Sequence, residues 1–446
     1  MSRRMHIGVG LTMSHLNGRW RTPGSWVHRT YPDLGMFEDM VRIAERGCLD
    51  MVFFGDATGI PATWNNSHEE GARWGLHWPR QDMSPYIGAL SQVTKHIGFG
   101  LTYASTFMPP FYVARLLNSL DHITNGRIAF NVVTSSRGAD AANYGFDQLM
   151  DHDERYERME EFIHVCKALW DSIEPDAFLW NRATGEVVDP SKVHRINHVG
   201  KHFKVAGPLS AVPSPQRHPV LIQAGMSPRG HKAAASFANL SFADAPSREA
   251  RVRHRKGLDA ALIAAGRDPR DLGIMLLQSV IVGETKEEAR AKKERMLTLF
   301  PEAAAGPLLS YNLGFDLSKL PERFSPAELN AQIIAAQASP SGMVARLAEQ
   351  LGPDGTMTRK EFFQLGLRFS TGYERTMAGT VAEVADYFEA EFEAMGECGG
   401  FMVDAGYTAP RALMDVVDHL IPELQRRGRF RKKYQGRTLR EHLAED

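Results

Sequence analysis

A chain of 446 residues, 43% hydrophobic and 24% charged, has ordinary globular composition and enough apolar material for a large core. Its formal net charge of −1 gives no field suited to embracing nucleic acid or an anionic membrane surface. Cys48, Cys166 and Cys398 stand far apart, which excludes a disulfide framework or paired-thiol metal motif and points to a reducing, cytoplasmic setting.

Met1-Ser2-Arg3-Arg4 leads straight into a strand-like run without an apolar signal core, and no apolar run reaches membrane-spanning length. A soluble protein is expected. Short runs rich in Val, Ile and Phe then alternate with longer helical patterns, the mark of parallel strands joined by crossover helices. The runs predict strands at Met5–Thr12, Met51–Gly55, Ile97–Tyr103, Arg127–Val133, Val220–Ala224, Leu240–Ala243, Ile274–Val282 and Gly400–Ala405. Helical periodicity fits between them, as at Met36–Arg46, Pro110–Ile123 and Asp151–Ser172. Eight strands and their helices fit an α/β fold of the (β/α)8 TIM-barrel type, although the count also permits a doubly wound sheet.

Two stretches read as insertions. Residues 173–217, rich in Pro, Gly and His, suit loops and a hairpin, and residues 291–370 are mainly helical. A long excursion of that kind at a barrel mouth is most simply a lid. The basic run from Arg426 to Arg437, with Phe430 and Tyr434 interleaved, ends in Glu441, Glu445 and Asp446. It reads as a C-terminal arm, about 422–446, lying on the protein or a neighbouring subunit.

In a TIM barrel the active site forms at the carboxyl ends of the strands, so polar residues there are the candidates. Asp56 stops the second apolar run, Thr102 lies near the end of the third, and Asn131 and Ser135 end the fourth. Singly, each reads as a satisfied polar group; together at one rim they make a candidate pocket. Asp151 and Glu154 are spaced as a capping box, and His152 and Tyr156, four apart, share one face of the helix entrance. The fifth run breaks at Gly225, after which Ser227 and Pro228 suit an N-cap and first helical residue, with Arg229 beside them. Both helix starts offer unpaired N–H groups that would suit a phosphate.

The segment Asp151-His152-Asp153-Glu154-Arg155-Tyr156 resembles the signature of the nitrilotriacetate, pristinamycin and dibenzothiophene sulfone monooxygenase group, a branch of the bacterial luciferase-like flavin enzymes. Leu120-Asp121-His122-Ile123 through Asn131-Val132-Val133-Thr134-Ser135 is similar to that family too, as are His198-Val199-Gly200-Lys201-His202-Phe203, Gln223-Ala224-Gly225 and Pro422-Glu423-Leu424-Gln425-Arg426-Arg427-Gly428. The likeness runs from about residue 6 to residue 443 and is weakest between 241 and 370. It implies one luciferase-like TIM-barrel domain, in which Leu309–Ser318 resembles a loop over the mouth. It also implies that Asp56, Thr102, His152, Tyr156 and Ser227 contact flavin mononucleotide (FMN), with His152, Tyr156 and Ser227 towards the phosphate. Met226 stands where the family often has a small residue and could donate from its backbone.

The reaction implied is insertion of one oxygen atom from O2 into a small organic or xenobiotic molecule, with reduced FMN supplied by a separate NAD(P)H:flavin reductase. A homodimer or homotetramer is the family expectation. His15, just past the first strand, matches a family histidine and is the candidate proton donor on the substrate side. Two alternatives stand beside this reading: a deazaflavin (F420)-dependent barrel oxidoreductase, and a flavin-binding protein without turnover.

Trp20, Trp26, Trp64, Trp74 and Trp78 crowd the first two strand-to-helix connections, where they would either line an apolar substrate cavity or pack loops. His15, Arg21, His28, Arg29, Arg73, His77 and Arg80 share that region; several pointing inward would bind a carboxylated or sulfonated substrate, while a solvated rim accounts for most. His194, His198 and His202 are spaced by four, but their surroundings read as a turn into a strand rather than a metal-binding helix. Gly8-Val9-Gly10 and Gly98-Phe99-Gly100 lack the third glycine of a dinucleotide fold.

Overall fold

The computed structural model describes residues 3–11, 16–135, 137–245, 247–336, 342–352, 355–404 and 409–445. Eight parallel strands close into a ring: β1 (His6–Gly10), β2 (Met51–Phe54), β3 (Gly98–Ala104), β4 (Ile128–Val133), β5 (Val220–Ala224), β6 (Leu240–Ala243), β7 (Gly273–Val282) and β8 (Gly399–Asp404). Neighbours pair in sequence order, and β8 returns to β1 in the register His6↔Gly400, which closes the barrel. An additional short strand, Met377–Gly379, pairs with the upper end of β7. The observed limits fall within two residues of those the apolar runs predict, because most positions of each run are buried.

Inside the ring Met51, Ala129, Ile222, Phe242, Met275 and Met402 fill the bore. Outside it, helices lay apolar stripes on the strands. In α1 (Leu34–Arg46) the stripe is Met36, Phe37, Met40, Val41 and Ala44. Pro110–Ile123 forms α2 with the predicted limits. In α3 (His152–Asp171) the buried set is Tyr156, Met159, Phe162, Ile163, Val165, Cys166, Leu169 and Trp170. A fully buried Phe162 is worth about 2–3 kcal/mol over an exposed one.

The stretch 173–217 carries a two-stranded hairpin, His198–Val199 with Lys204–Val205. Its turn is held by the Glu161 carboxylate, which accepts from the amides of His202 and Phe203 at 2.9 Å each. The later stretch is helical as expected, and builds a second apolar core from Leu313, Leu317, Leu329, Ile333 and Phe362. Within it Leu309–Leu313 is helical rather than loop, completing the helix Ala305–Leu313.

The basic run lies against its own chain. Arg427 pairs with Glu423, Asp386 and Glu389, and Arg429 with Glu389, Glu393 and Glu397. Leu439 joins the apolar plug in the bore, so the arm seals the barrel at the amino ends of its strands. No described helix is long and apolar enough to cross a membrane.

Candidate active site

The carboxyl ends of β2, β3, β4 and β5 hold a linked polar row. The Thr102 hydroxyl donates to the Phe54 carbonyl at 3.1 Å, and Asn131 Nδ2 donates to Thr102 Oγ1 at 3.1 Å. Asn131 Oδ1 is then left buried without a partner among the described residues, and so is Gln223 Oε1 on β5. Buried acceptors rarely stay unpaired, because each has given up its hydrogen bonds to water.

Two residues beyond β2, Asp56 accepts from the amide of Ala57 at 2.8 Å. Burial pushes its carboxyl above the usual aspartate range, against the pull of Arg80 and the Ala57 amide; Asp82 and Asp140 add to the rise. Asp140 is spent on structure. It accepts from Thr58 N at 3.0 Å, Gly59 N at 2.7 Å and Ser135 Oγ at 3.0 Å, tying the β2 and β4 loops together.

Further round the rim, α3 begins beside the turn that follows β5. The His152 and Tyr156 rings stand 5.0 Å apart, as a four-residue spacing on one helix face requires. Ser227 caps the helix Pro228–Phe237, its Oγ accepting from the Gly230 amide at 3.0 Å. Gly225 lies between them. A Cβ there would stand 2.8 Å from the Tyr156 phenol oxygen and 2.6 Å from Gln223 Nε2, so a side chain would narrow this cradle by pushing those two polar ends aside. Met226, half-buried, packs against the main core.

Some expectations are corrected here. Asp151 makes no side-chain cap bond, so the capping box does not form; His152 Nδ1 instead sits 2.8 Å from the Asp153 carboxylate. The first-turn amides of α3 thus lack a side-chain acceptor of the N-cap kind. Arg229 is engaged by Glu160 at 2.7 and 2.9 Å, with its guanidinium carbon 5.0 Å from the Tyr156 ring centroid. His198 bonds Glu161 from a strand and His194 bonds Glu174, each in a different place. Trp64 packs against Phe363 and Trp74 donates to Glu70, so these two follow the loop-packing reading, whereas Trp20 and Trp26, each 45% exposed, line an open cleft with Arg21, Thr22 and Pro23. Arg21 donates to the Leu299 carbonyl, while Arg73 pairs with Glu70 in solvent. His15 lies outside the described residues, as do the side chains of His28 and Arg29.

Of the residues sequence reasoning passed over, Arg137 and Asp140 have no local signal. Tyr311 sits inside the quoted mouth segment but is not singled out by spacing. It meets the barrel directly: its ring lies 4.7 Å from that of His77, and the Arg137 guanidinium carbon is 4.7 Å from its centroid.

A closed parallel barrel with a hydrogen-bonded polar row and two helix entrances on one rim is a frame able to seat a phosphorylated cofactor. The chain belongs to the luciferase-like monooxygenase family, whose model matches residues 9–396. It is thereby a flavin-dependent monooxygenase. It is 32% identical to the dibenzothiophene-sulfone monooxygenase of Rhodococcus erythropolis (strain XP), over 99% of this chain and 97% of that one. It is 35% identical to nitrilotriacetate monooxygenase component A of Aminobacter aminovorans, with the same coverages. The crystal structure of a long-chain alkane monooxygenase superposes with a TM-score of 0.88 at 31% identity, covering 100% of this chain and 96% of that one.

Proposed function

We propose that this chain is the oxygenating component of a two-component monooxygenase. It would hold reduced FMN across the barrel mouth and insert one atom of O2 into a small organic substrate, with a separate NAD(P)H:flavin reductase supplying the reduced cofactor. The observation that carries this is the convergence of the α3 entrance and the Ser227 turn on the Gly225 cradle, beside the unpaired oxygens of Asn131 and Gln223. The printed name "component A" of one relative supports the division of labour with a reductase.

The residues fit a flavin. Ser227, with its cap bond made through an oxygen lone pair, keeps its hydroxyl proton for a phosphate, and His152, Tyr156 and the Met226 amide complete that end. Asp56, Thr102 and Asn131 would lie at the ring end, where the buried Asn131 and Gln223 acceptors suit the N–H groups of a flavin. Bound reduced flavin supplies the electrons and the oxygen-activating ring. The chain positions it, and the raised carboxyl of Asp56 holds a proton at the ring end to higher pH than an exposed aspartate. The helix Ala305–Leu313 packs Tyr311 over His77 and works as a lid that excludes water. His15 is the proton donor on the substrate side.

Fluorescence titration with FMN and with F420 tests this. FMN should bind with a Kd of about 1–10 μM, in the range of K_M values enzymes commonly show, and should weaken about tenfold in Tyr156→Phe. Absence of FMN affinity in both redox states, or a preference for F420, would sink the reading.

A further inference from the structure

The lid helix closes on a group of cations. His77, after β2, donates its amide to Asn17 Oδ1 at 3.0 Å. Arg80 donates from Nε to the His77 carbonyl at 3.0 Å and from Nη1 to the Gly55 carbonyl at 3.3 Å, which fixes its guanidinium next to Asp56. The Tyr311 ring packs on that of His77, and the Arg137 guanidinium lies against the same Tyr311 ring. Tyr311 is only 9% exposed, and its hydroxyl is buried without a hydrogen-bond partner among the described residues. Arg137 has no carboxylate or carbonyl acceptor for its guanidinium among them.

The acids nearby do not fill this need. Asp140 has its oxygens occupied by two amides and the Ser135 hydroxyl, and Asp404 is engaged by Arg19 at 2.6 Å from both guanidinium nitrogens. Asp56 is the remaining neighbour, with a carboxyl that burial raises above the usual aspartate range. Burial first, then Arg80, Arg137 and Arg19, push His77 down to about 3 against a hydrogen bond with Asn312, so the imidazole is neutral and three guanidinium groups stand close to it. An unpartnered phenol donor, an unpaired guanidinium and a fixed Arg80 thus stand together at the mouth.

We infer that Tyr311 and Arg137, backed by Arg80 and His77, form the seat for an oxyanion end group on the substrate, so the molecules oxidised here carry a carboxylate or a sulfonate. This rests on the mouth being the monooxygenase site, and it names the substrate class for that site. A planar guanidinium grips either group through paired N–H donors, and the phenol adds a third bond. A neutral isostere leaves these donors unpaired when the lid closes, which makes the seat selective. Because Tyr311 belongs to the lid, the anion also bridges lid and barrel.

Calorimetry at fixed ionic strength tests it, with succinate and methanesulfonate as charged probes and succinamide and dimethyl sulfone as neutral isosteres. Each probe is titrated into the protein with and without FMN. At least one charged probe should bind about tenfold or more tighter than its isostere, and the better of the two names the end group. Arg137→Met should lose about tenfold of that affinity and Tyr311→Phe about threefold, as expected for charge-assisted and neutral donors. FMN affinity should stay within about twofold in both. Equal binding of charged and neutral probes, or Arg137→Met and Tyr311→Phe both binding like wild type, would overturn the seat. Tyr311→Phe removes one oxygen atom and serves if Arg137→Met fails to fold. Succinate binding without FMN binding would keep the seat and defeat the proposed function instead.

Discussion

Asp50 and Asp56 flank the same strand, β2, and live in opposite environments. Asp50, below the strand and fully buried, accepts from the Ile7 amide at 2.7 Å, lies 3.0 Å from His6 Nδ1 and pairs with Arg431. Burial alone would raise its carboxyl, but Arg431, His6 and the Ile7 amide outweigh that and hold it below the usual range. Asp56, above the strand, has one backbone donor, and burial wins. The floor pairs its buried carboxylate with opposite charge, although Arg431 Nη1 and Arg429 Nε there lack a hydrogen bond among the described residues; at the mouth Asp56 is compensated less than it is desolvated. Stability is concentrated at one end and chemistry at the other, a division that parallel barrels permit because their loops at the two ends are independent.

That contrast is easiest to break at the floor. Asp50→Asn leaves Arg431 buried without its carboxylate and should destabilise the fold by about 3–5 kcal/mol, read from urea unfolding. The pH dependence gives a second check. A carboxyl depressed in the folded state contributes stability that is complete above the ordinary aspartate pKa of about 3.9 and is lost as pH falls through the lower folded value. The variant should therefore lose that part of the acid limb.

Asp56→Asn should do the reverse. A raised carboxyl costs stability only while it is charged, so removing the charge should leave Tm at neutral pH unchanged or higher. Reductase-coupled turnover should nevertheless fall about 10²-fold, the scale of a lost general acid. A Tm drop like that of Asp50→Asn would erase the distinction between the two ends. The mildest change is Gly225→Ala, whose Cβ would crowd Tyr156 and Gln223. FMN affinity should fall about tenfold, by the cost of about 1.4 kcal/mol for displaced contacts, with little change in Tm.

Much of the barrel is legible from sequence because strands buried on both faces leave unbroken apolar runs, such as Val220-Leu221-Ile222. The rim candidate Asp56 is legible for the converse reason, that an apolar run stops at it, and Thr102 because it is a polar residue near the end of the third run. Ser227 and Pro228 form the helix start that their order predicts, since capping is local. The Asp151/Glu154 spacing fails because the same local rule allows competition, and His152 is engaged by Asp153 instead. Asp140 and Arg137 escape because what matters about them is tertiary. Asp140 holds amides more than 80 positions away, and Arg137 acquires its meaning only when Tyr311 folds over it. The family likeness, not spacing, joined His152, Tyr156 and Ser227 into one expectation.

The ion pair beneath β2 also sets an order of events in biosynthesis. Asp50 and Arg431 are 381 positions apart. At translation speeds of about 5–20 residues per second, the guanidinium emerges roughly 20–80 s after the carboxylate. Through that interval the nascent half-barrel cannot dehydrate its base around a charge that lacks its main counterion. Ring closure and docking of the arm are therefore coupled late events, and a newborn chain waits, open at the bottom, for its last helices.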